Sequence, residues 1–340
     1  MLKKSIWASL LVAALAAVSV GPAASAEIVS SPRTADAPDR GTRLILLGTA
    51  GGPNIRTDRS QPANLLIVDG RPYLIDCGEG TVEQLRKAGF HAADISRVFL
   101  THLHLDHVGG LASLMGFRWT AGSVSQPIEV YGPPGTEKLT AGAASYLSVS
   151  EHLFAAVLPP RPSITQMSRA RDLHVTGQQL VYSDDKIRVF AVENSHFSAV
   201  RLGADDYGVP RSYSYRIETP DRTFVFTGDT GPSAALTALA RNADVLVSEV
   251  IDIDRTLEFM KAKYRDSTQE MMADLVDHQK REHLIPEEVG RLAAEAKARM
   301  VVLTHIVPGT DDERSSLNYV AGVRRAFGGV VVAGKDLDEF

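Results

Sequence analysis

Cysteine is almost absent: Cys77 is the only one in 340 residues. No intrachain disulfide can form, and no cysteine-rich structural or storage zinc site can be built. The fold must be held by its apolar core, with a metal as the other available staple. A basic surplus is also lacking. Lys+Arg number 36 against 41 Asp+Glu, a formal charge of −5, and phosphate backbones are gripped by concentrated Lys and Arg, so composition argues against a nucleic-acid partner. A membrane-spanning run is missing as well. The apolar stretch Ile6–Val20 stops at Gly21-Pro22, well short of the roughly 20 residues a bilayer needs. The glycine-rich turn Gly48-Thr49-Ala50-Gly51-Gly52-Pro53 has no Lys-Ser/Thr after it, which removes a phosphate-binding P-loop.

The first residues read as an export signal. Met1-Leu2-Lys3-Lys4 is basic, Ile6–Val20 is apolar and Ala24-Ser25-Ala26 is a small-residue cleavage site, so a cut after Ala26 and a periplasmic or secreted protein are expected. That stretch has no cysteine to carry a lipid, and no stable membrane insertion is expected after cleavage. Losing Lys3 and Lys4 takes the formal charge from −5 to −7. Residues 27–42 are polar with two prolines and read as a flexible leader. Residues 43–340 are then read as one domain.

Histidine is concentrated. Of ten in the chain, three fall in FLTHLHLDHVGGL at 99–111. Arg97–Leu100 reads as a buried strand, and His102, His104, Asp106 and His107 follow where it ends. A loop held at a strand end can aim His102 and His104 at one point and Asp106 and His107 at another. Imidazole and carboxylate donors suit zinc, with Mn or Fe as substitutes. Three more metal-type residues follow strands: His196 after Ile187–Val192, Asp229 after Thr223–Phe226 and His305 after Met300–Val302.

Strand patterns run in a series, alternate with helices, and then repeat. Further strands are read at Leu44–Leu47, Ala63–Val68, Pro72–Ile75, Ile128–Tyr131, Ser212–Glu218 and Val245–Val247. Helices are read at 81–88, 233–241, 255–281, 287–298 and 316–327. The α/β order implies stacked helix–sheet–sheet–helix layers. Residues 136–180 begin as a helix to about 157, break at Leu158-Pro159-Pro160 and continue irregularly. They are expected to form an excursion over the site.

HLHLDH, Ser195-His196, Gly228-Asp229-Thr230 and Thr304-His305, in that order, resemble the metallo-β-lactamase superfamily. LGTAGGP at 47–53, DCGEGT at 76–81, SYRIE at 214–218, FTGDT at 226–230 and SEV at 248–250 resemble its ribonuclease Z-like branch, which includes exported arylsulfatase-like proteins. The resemblance implies a four-layer αβ/βα sandwich and two Zn²⁺ per chain. His102, His104 and His196 would hold one ion, and Asp106, His107 and His305 the other, with Asp229 bridging. It further implies that Asp106 orients the attacking water, that His283 assists the leaving oxygen, and that Glu249 orients His283. His278 is the poorer competitor for that role, because it lies inside a helical stretch.

The expected activity is hydrolysis of a small phosphodiester or arylsulfate ester. Alternatives are a lactone or carboxylic ester, and ribonuclease Z-type processing of tRNA 3′ ends. The last is disfavoured by charge, by export, and by Arg161, Arg169 and Arg171 not forming a basic arm. A non-catalytic binder would be expected to have lost ligands, and none of the seven is lost. A homodimer is left open by the resemblance, although no stripe in the sequence marks an interface.

Overall fold

Period-two burial organises the chain. In β1 (Thr42–Gly48), Leu44 and Leu46 join one apolar cluster while Ile45 and Leu47 join another. In β2 (Ala63–Val68), Leu66 and Val68 follow the first pair, and Leu65 and Ile67 the second. A strand that is apolar on both faces has to be covered on both, and the fold supplies the two covers. The computed structural model describes residues 41–121, 125–198, 203–308, 310, 311 and 315–340. The expected signal segment and most of the leader lie outside the described residues.

The first sheet continues with β3 (Arg71–Ile75), β4 (Arg97–Phe99), β5 (Ile128–Gly132) and β6 (Ser168–Asp172), ordered β1-β2-β3-β4-β5-β6. Its first two pairings are antiparallel and the rest parallel. The second holds β7 (Gln179–Ser183), β8 (Arg188–Glu193), β9 (Tyr213–Glu218), β10 (Thr223–Phe226), β11 (Val245–Ile251), β12 (Met300–Val307) and β13 (Val330–Ala333), ordered β13-β12-β11-β10-β9-β8-β7. Leu44, Leu66, Phe99, Tyr215, Phe224 and Val302 fill the space between the sheets. The helices α1 (Thr81–Lys87), α2 (Leu105–Val108), α3 (Leu111–Thr120) and α4 (Thr136–Ala155) follow strands of the first sheet, and Leu85, Leu114, Trp119 and Ala144 cover its outer face. After α5 (Ala234–Leu239), α6 (Ile253–Lys263), α7 (Gln269–Glu282), α8 (Pro286–Ala296) and α9 (Leu317–Arg324), Leu236, Val289, Leu292 and Val323 cover the outer face of the second. This is the expected four-layer α/β sandwich. Each fully buried aliphatic side chain contributes about 1.5–3 kcal/mol. Among the described residues no helix is long and apolar enough to cross a membrane.

Several elements differ from the sequence reading. Residues 136–180 are built into the sandwich. α4 packs on α3 and β6, and β6 and β7 are the outer strands of the two sheets. SRARD and QLVYS lack a strong apolar face because an outer strand is covered on fewer sides. The stretch read as one helix over 255–281 is two. α6 ends at Lys263, and Thr268 caps α7 by accepting from the Met271 N–H at 3.2 Å.

β13 and the tail after it were not read from the sequence. The tail returns along β1: the N–H of Leu44 donates to Phe340 O, and that of Phe340 to Leu44 O, each at 2.9 Å. Before it, Asp336 accepts from Thr49 N (3.0 Å), Thr49 Oγ1 (2.7 Å), Ser60 N (2.6 Å) and Gln84 Nε2 (2.6 Å). One carboxylate thus ties the glycine-rich loop after β1 to α1. Asp336→Ala leaves these part-buried donors without their acceptor. A loss of about 2–4 kcal/mol is expected, read as a lower urea midpoint with an unchanged slope.

Candidate metal centre

The site is built where strands end. β4 stops at Phe99, and Thr101 N donates to Asp76 Oδ1 at 2.8 Å, fixing the exit of the chain. His102 and His104 precede the single turn of α2, whereas Asp106 and His107 lie within it. The two pairs therefore leave the backbone in different directions, as the spacing implied. Glycines allow the close packing this requires. A Cβ on Gly78 would lie 2.3 Å from Asp106 O, and one on Gly52 would lie 2.1 Å from Asp106 Oδ2. The Gly52 N–H instead donates to that oxygen at 3.1 Å.

His305 arrives differently from expectation. β12 does not end before it but runs on to Val307 with an irregular register. Ser248 pairs with Leu303 and Val250 with Ile306, so Thr304 and His305 together face Glu249. Two residues opposite one is a bulge, which re-aims a side chain, and His305 has φ +42.

All seven expected donors come together. His102, His107, His196, Asp229 and His305 are at most 3% exposed and Asp106 is 8% exposed. Only His104 reaches the surface, at the mouth. His104 Nδ1 lies 3.0 Å from His102 Nε2 and 3.2 Å from His196 Nε2. On the other side, His305 Nε2 lies 3.3 Å from Asp106 Oδ2 and 3.2 Å from Asp229 Oδ2, and His107 Nε2 lies 3.3 Å from Asp229 Oδ1. His102 Nε2 is 3.9 Å from Asp229 Oδ2. A tetrahedral divalent ion with N and O donors at about 2.0–2.1 Å sets those donors roughly 3.3 Å apart. Among the described residues, His107 Nε2 and Asp229 Oδ1 are buried without a hydrogen-bond partner, as donors to a cation would be. The residues present therefore fit divalent metal.

The two halves differ in charge. Burial pushes His102 and His196 well below the ordinary imidazole range, and His104 below it. Burial acts the same way on His107, but Asp229, Asp76 and Asp106 outweigh it and hold His107 well above that range. Asp229, with Asp106, likewise overcomes burial at His305 and raises it to about 10.

Supporting partners fix the rings. His196 Nδ1–H donates to Glu282 O at 3.1 Å, and His102 Nδ1 lies 3.2 Å from Thr101 Oγ1. His107 Nδ1–H donates to Asp76 Oδ2 at 2.9 Å. Asp76 received no role from the sequence, although DCGEGT was noted. The available signal was an acidic residue directly after β3, next to the strand that carries the histidines. Glu249 and His283 meet as expected: His283 Nδ1–H donates to Glu249 Oε2 at 2.7 Å, and Thr230 N donates to Oε1 at 2.6 Å. Burial raises the Glu249 carboxyl. It opposes charge on His283 too, but Glu249 more than compensates and holds that ring above its usual value. The remaining histidines His91, His152 and His174 are exposed.

Asp76→Asn should weaken metal binding by about 10–100-fold through His107 alone. Competition with a chromogenic chelator measures this, and unchanged affinity would remove Asp76 from the support. His107 and His305 hold protons above the usual imidazole range, so metal entry must displace them. Affinity is therefore expected to rise with pH between about 6 and about 9, with proton release seen by calorimetry in buffers of different ionisation enthalpy.

The fold and site have known counterparts. The Beta-lactamase superfamily domain matches residues 71–306. Ribonuclease Z of Mycolicibacterium paratuberculosis is 30% identical over 308 residues, covering 86% of this chain and 96% of that protein. Two solved structures share the fold. The metallo-β-lactamase fold protein YhfI of Bacillus subtilis has a TM-score of 0.60 at 17% identity, with 88% and 98% of the two chains covered. The short form of human tRNase Z has a TM-score of 0.59 at 21% identity, with 88% and 98% covered. Taken with the gathered His and Asp donors, these matches mean that the chain belongs to the metallo-β-lactamase superfamily, in its ribonuclease Z-like branch, and is a metal-dependent hydrolase of ester bonds.

Proposed function

We propose that the chain is an exported two-zinc hydrolase of a small phosphodiester or arylsulfate ester. The observation that carries the choice of a small substrate is the fate of the arginines after α4. Arg161 Nη1 donates to Trp119 O at 2.9 Å and its guanidinium lies over the Trp119 ring at 5.3 Å. Arg171 lies over Tyr131, within a strand paired to β5. Cations on segments that bear site residues are matched by acids: Arg211 by Glu193 and Arg281 by Asp277. Arg169 stays exposed, but among the described residues these arginines form no continuous basic arm to track a tRNA backbone. At the mouth, the Phe197 ring lies 4.8 Å from that of His196 and 5.2 Å from that of His104. An apolar plate beside the donors suits a compact ester with an aromatic group.

Zinc would be held by His102, His104 and His196 on one side and by Asp106, His107 and His305 on the other, with Asp229 shared. Divalent ions at such a centre lower the pKa of water towards neutrality and polarise the ester. Asp106 has one oxygen facing Gly52 N–H, His107 and His305. Its other oxygen makes no hydrogen bond among the described residues and would accept a proton from the attacking water. His283, whose protonated form the Glu249 carboxylate favours, would give a proton to the departing oxygen.

The mature chain from Glu27 is expected to carry two zinc ions. Assayed on bis-aryl phosphate, aryl sulfate, aryl ester, lactone and pre-tRNA, it is expected to turn over the first or second. His102→Ala and Asp229→Ala should abolish turnover together with metal, while His283→Ala should keep metal and lose about 10²–10⁴-fold in kcat. The relationship to ribonuclease Z keeps pre-tRNA as the competing substrate, and turnover of pre-tRNA alone would overturn the small-ester reading.

A further inference from the structure

A wholly buried carboxylate outside the proposed mechanism lies against the site. Glu282, the last residue of α7, is 0% exposed. Its main-chain oxygen orients His196. Its side chain reaches back one turn, and Oε2 lies 2.5 Å from Nδ1 of His278. An i,i+4 Glu–His pair on a solvated helix face is worth only a few tenths of a kcal/mol. Burying the carboxylate is a different matter, because it costs several kcal/mol unless the charge is matched.

The place of the imidazole gives the pair a use. The His278 ring centroid lies 5.9 Å from that of His196 and 5.9 Å from that of His283. It therefore lies beside both a metal donor and the ring that would serve the departing oxygen, which are themselves 5.2 Å apart. Nδ1 is buried and its close approach to Glu282 is not aligned as a hydrogen bond, while the side chain is 22% exposed, so the exposed part of the ring lies away from Nδ1. Each of the two rings has its own acid, Glu249 for His283 and Glu282 for His278.

We propose that His278 is a specificity-determining residue that contacts the leaving group of the ester. The close Glu282 carboxylate fixes where the ring sits, and the ring edge turned away from it can accept or donate a hydrogen bond. The group it fits is a hydroxyl a few bonds beyond the scissile oxygen, as in a sugar or a hydroxymethyl aryl ester. This rests on the phosphodiester reading and on His283 marking the leaving side.

The test uses two diesters that differ in one group: methyl phenyl phosphate and its meta-hydroxymethyl analogue. The zinc-loaded unmodified chain is expected to favour the hydroxylated ester by about 3–10-fold in kcat/KM, the worth of one neutral hydrogen bond. His278→Ala should erase that preference while leaving turnover of the plain ester and the zinc content unchanged; its Tm is expected to fall, because the buried Glu282 loses a neighbour, so the assays are run well below it. His278→Gln, whose amide oxygen also accepts, should restore part of it. Equal losses on both esters would make His278 merely structural and overturn the proposal, as would a preference that survives His278→Ala. Calorimetric binding of the two matching methylphosphonate analogues reads the same preference without turnover. A His278-dependent preference in binding, with neither diester hydrolysed, would sink the phosphodiester reading and leave the contact standing.

Discussion

Asp229 is a carboxylate with 3% exposure whose two oxygens face three histidines from two separate segments. Charge in that position costs several kcal/mol unless positive charge answers it. His305 and His107 supply part of the answer, and they pull the Asp229 carboxyl well below the usual range against the opposing effect of burial. A divalent cation supplies it more fully, because it also engages His107 Nε2 and Asp229 Oδ1, which have no hydrogen-bond partner among the described residues. The loops of both sheets have to arrive at this one residue, so the geometry of the sandwich is set by it.

The sandwich can meet that demand because its two sheets are coupled by a dry interface. Tyr215 shows the coupling: it is fully buried in the second sheet, yet its hydroxyl donates to Leu100 O, at the exit of β4, at 2.8 Å. Tyr213 N donates to Thr101 O at 2.8 Å, beside the Gly228 turn that presents Asp229. Gly228 has φ +59, and a Cβ there would lie 2.9 Å from the Thr101 Cβ. The histidine loop of one sheet and the aspartate turn of the other are thus in register through main-chain contacts. Metal ligation completes a site that backbone packing has already positioned.

The donors were legible in the sequence because each lies at or near the end of an apolar strand run, and their types are those that ligate metal. What was not legible depends on pairing. The bulge at Thr304-His305 exists only relative to Glu249 on the neighbouring strand, so His305 read as a residue after a strand rather than inside one. β6 and β7 pass as irregular sequence because outer strands need less apolar surface. The break between α6 and α7 turns on the Thr268 cap, which a continuous charge pattern obscured. Asp76 went without a role because its partner, His107, is 31 positions away. His278 was set aside for lying in a helix, and the structure does place it in one; the buried acid one turn later was the missing observation.

The partners of the rings sort the histidines into two kinds. His102 and His196 lean on neutral oxygens, the Thr101 hydroxyl and the Glu282 main chain. Such partners fix orientation without stabilising a charge, and burial keeps these rings neutral, ready to ligate. His107 and His283 each lean on a carboxylate, Asp76 and Glu249. A carboxylate fixes orientation and also favours proton on the ring. His107 can give that charge up to a metal, because Asp106 and Asp229 gain the cation in exchange. His283 has its acid on one nitrogen and lies within reach of Asp229 and His196. The choice between a neutral and an anionic partner thus separates rings kept neutral before a metal arrives from rings on which a proton is favoured, using a single side-chain type throughout.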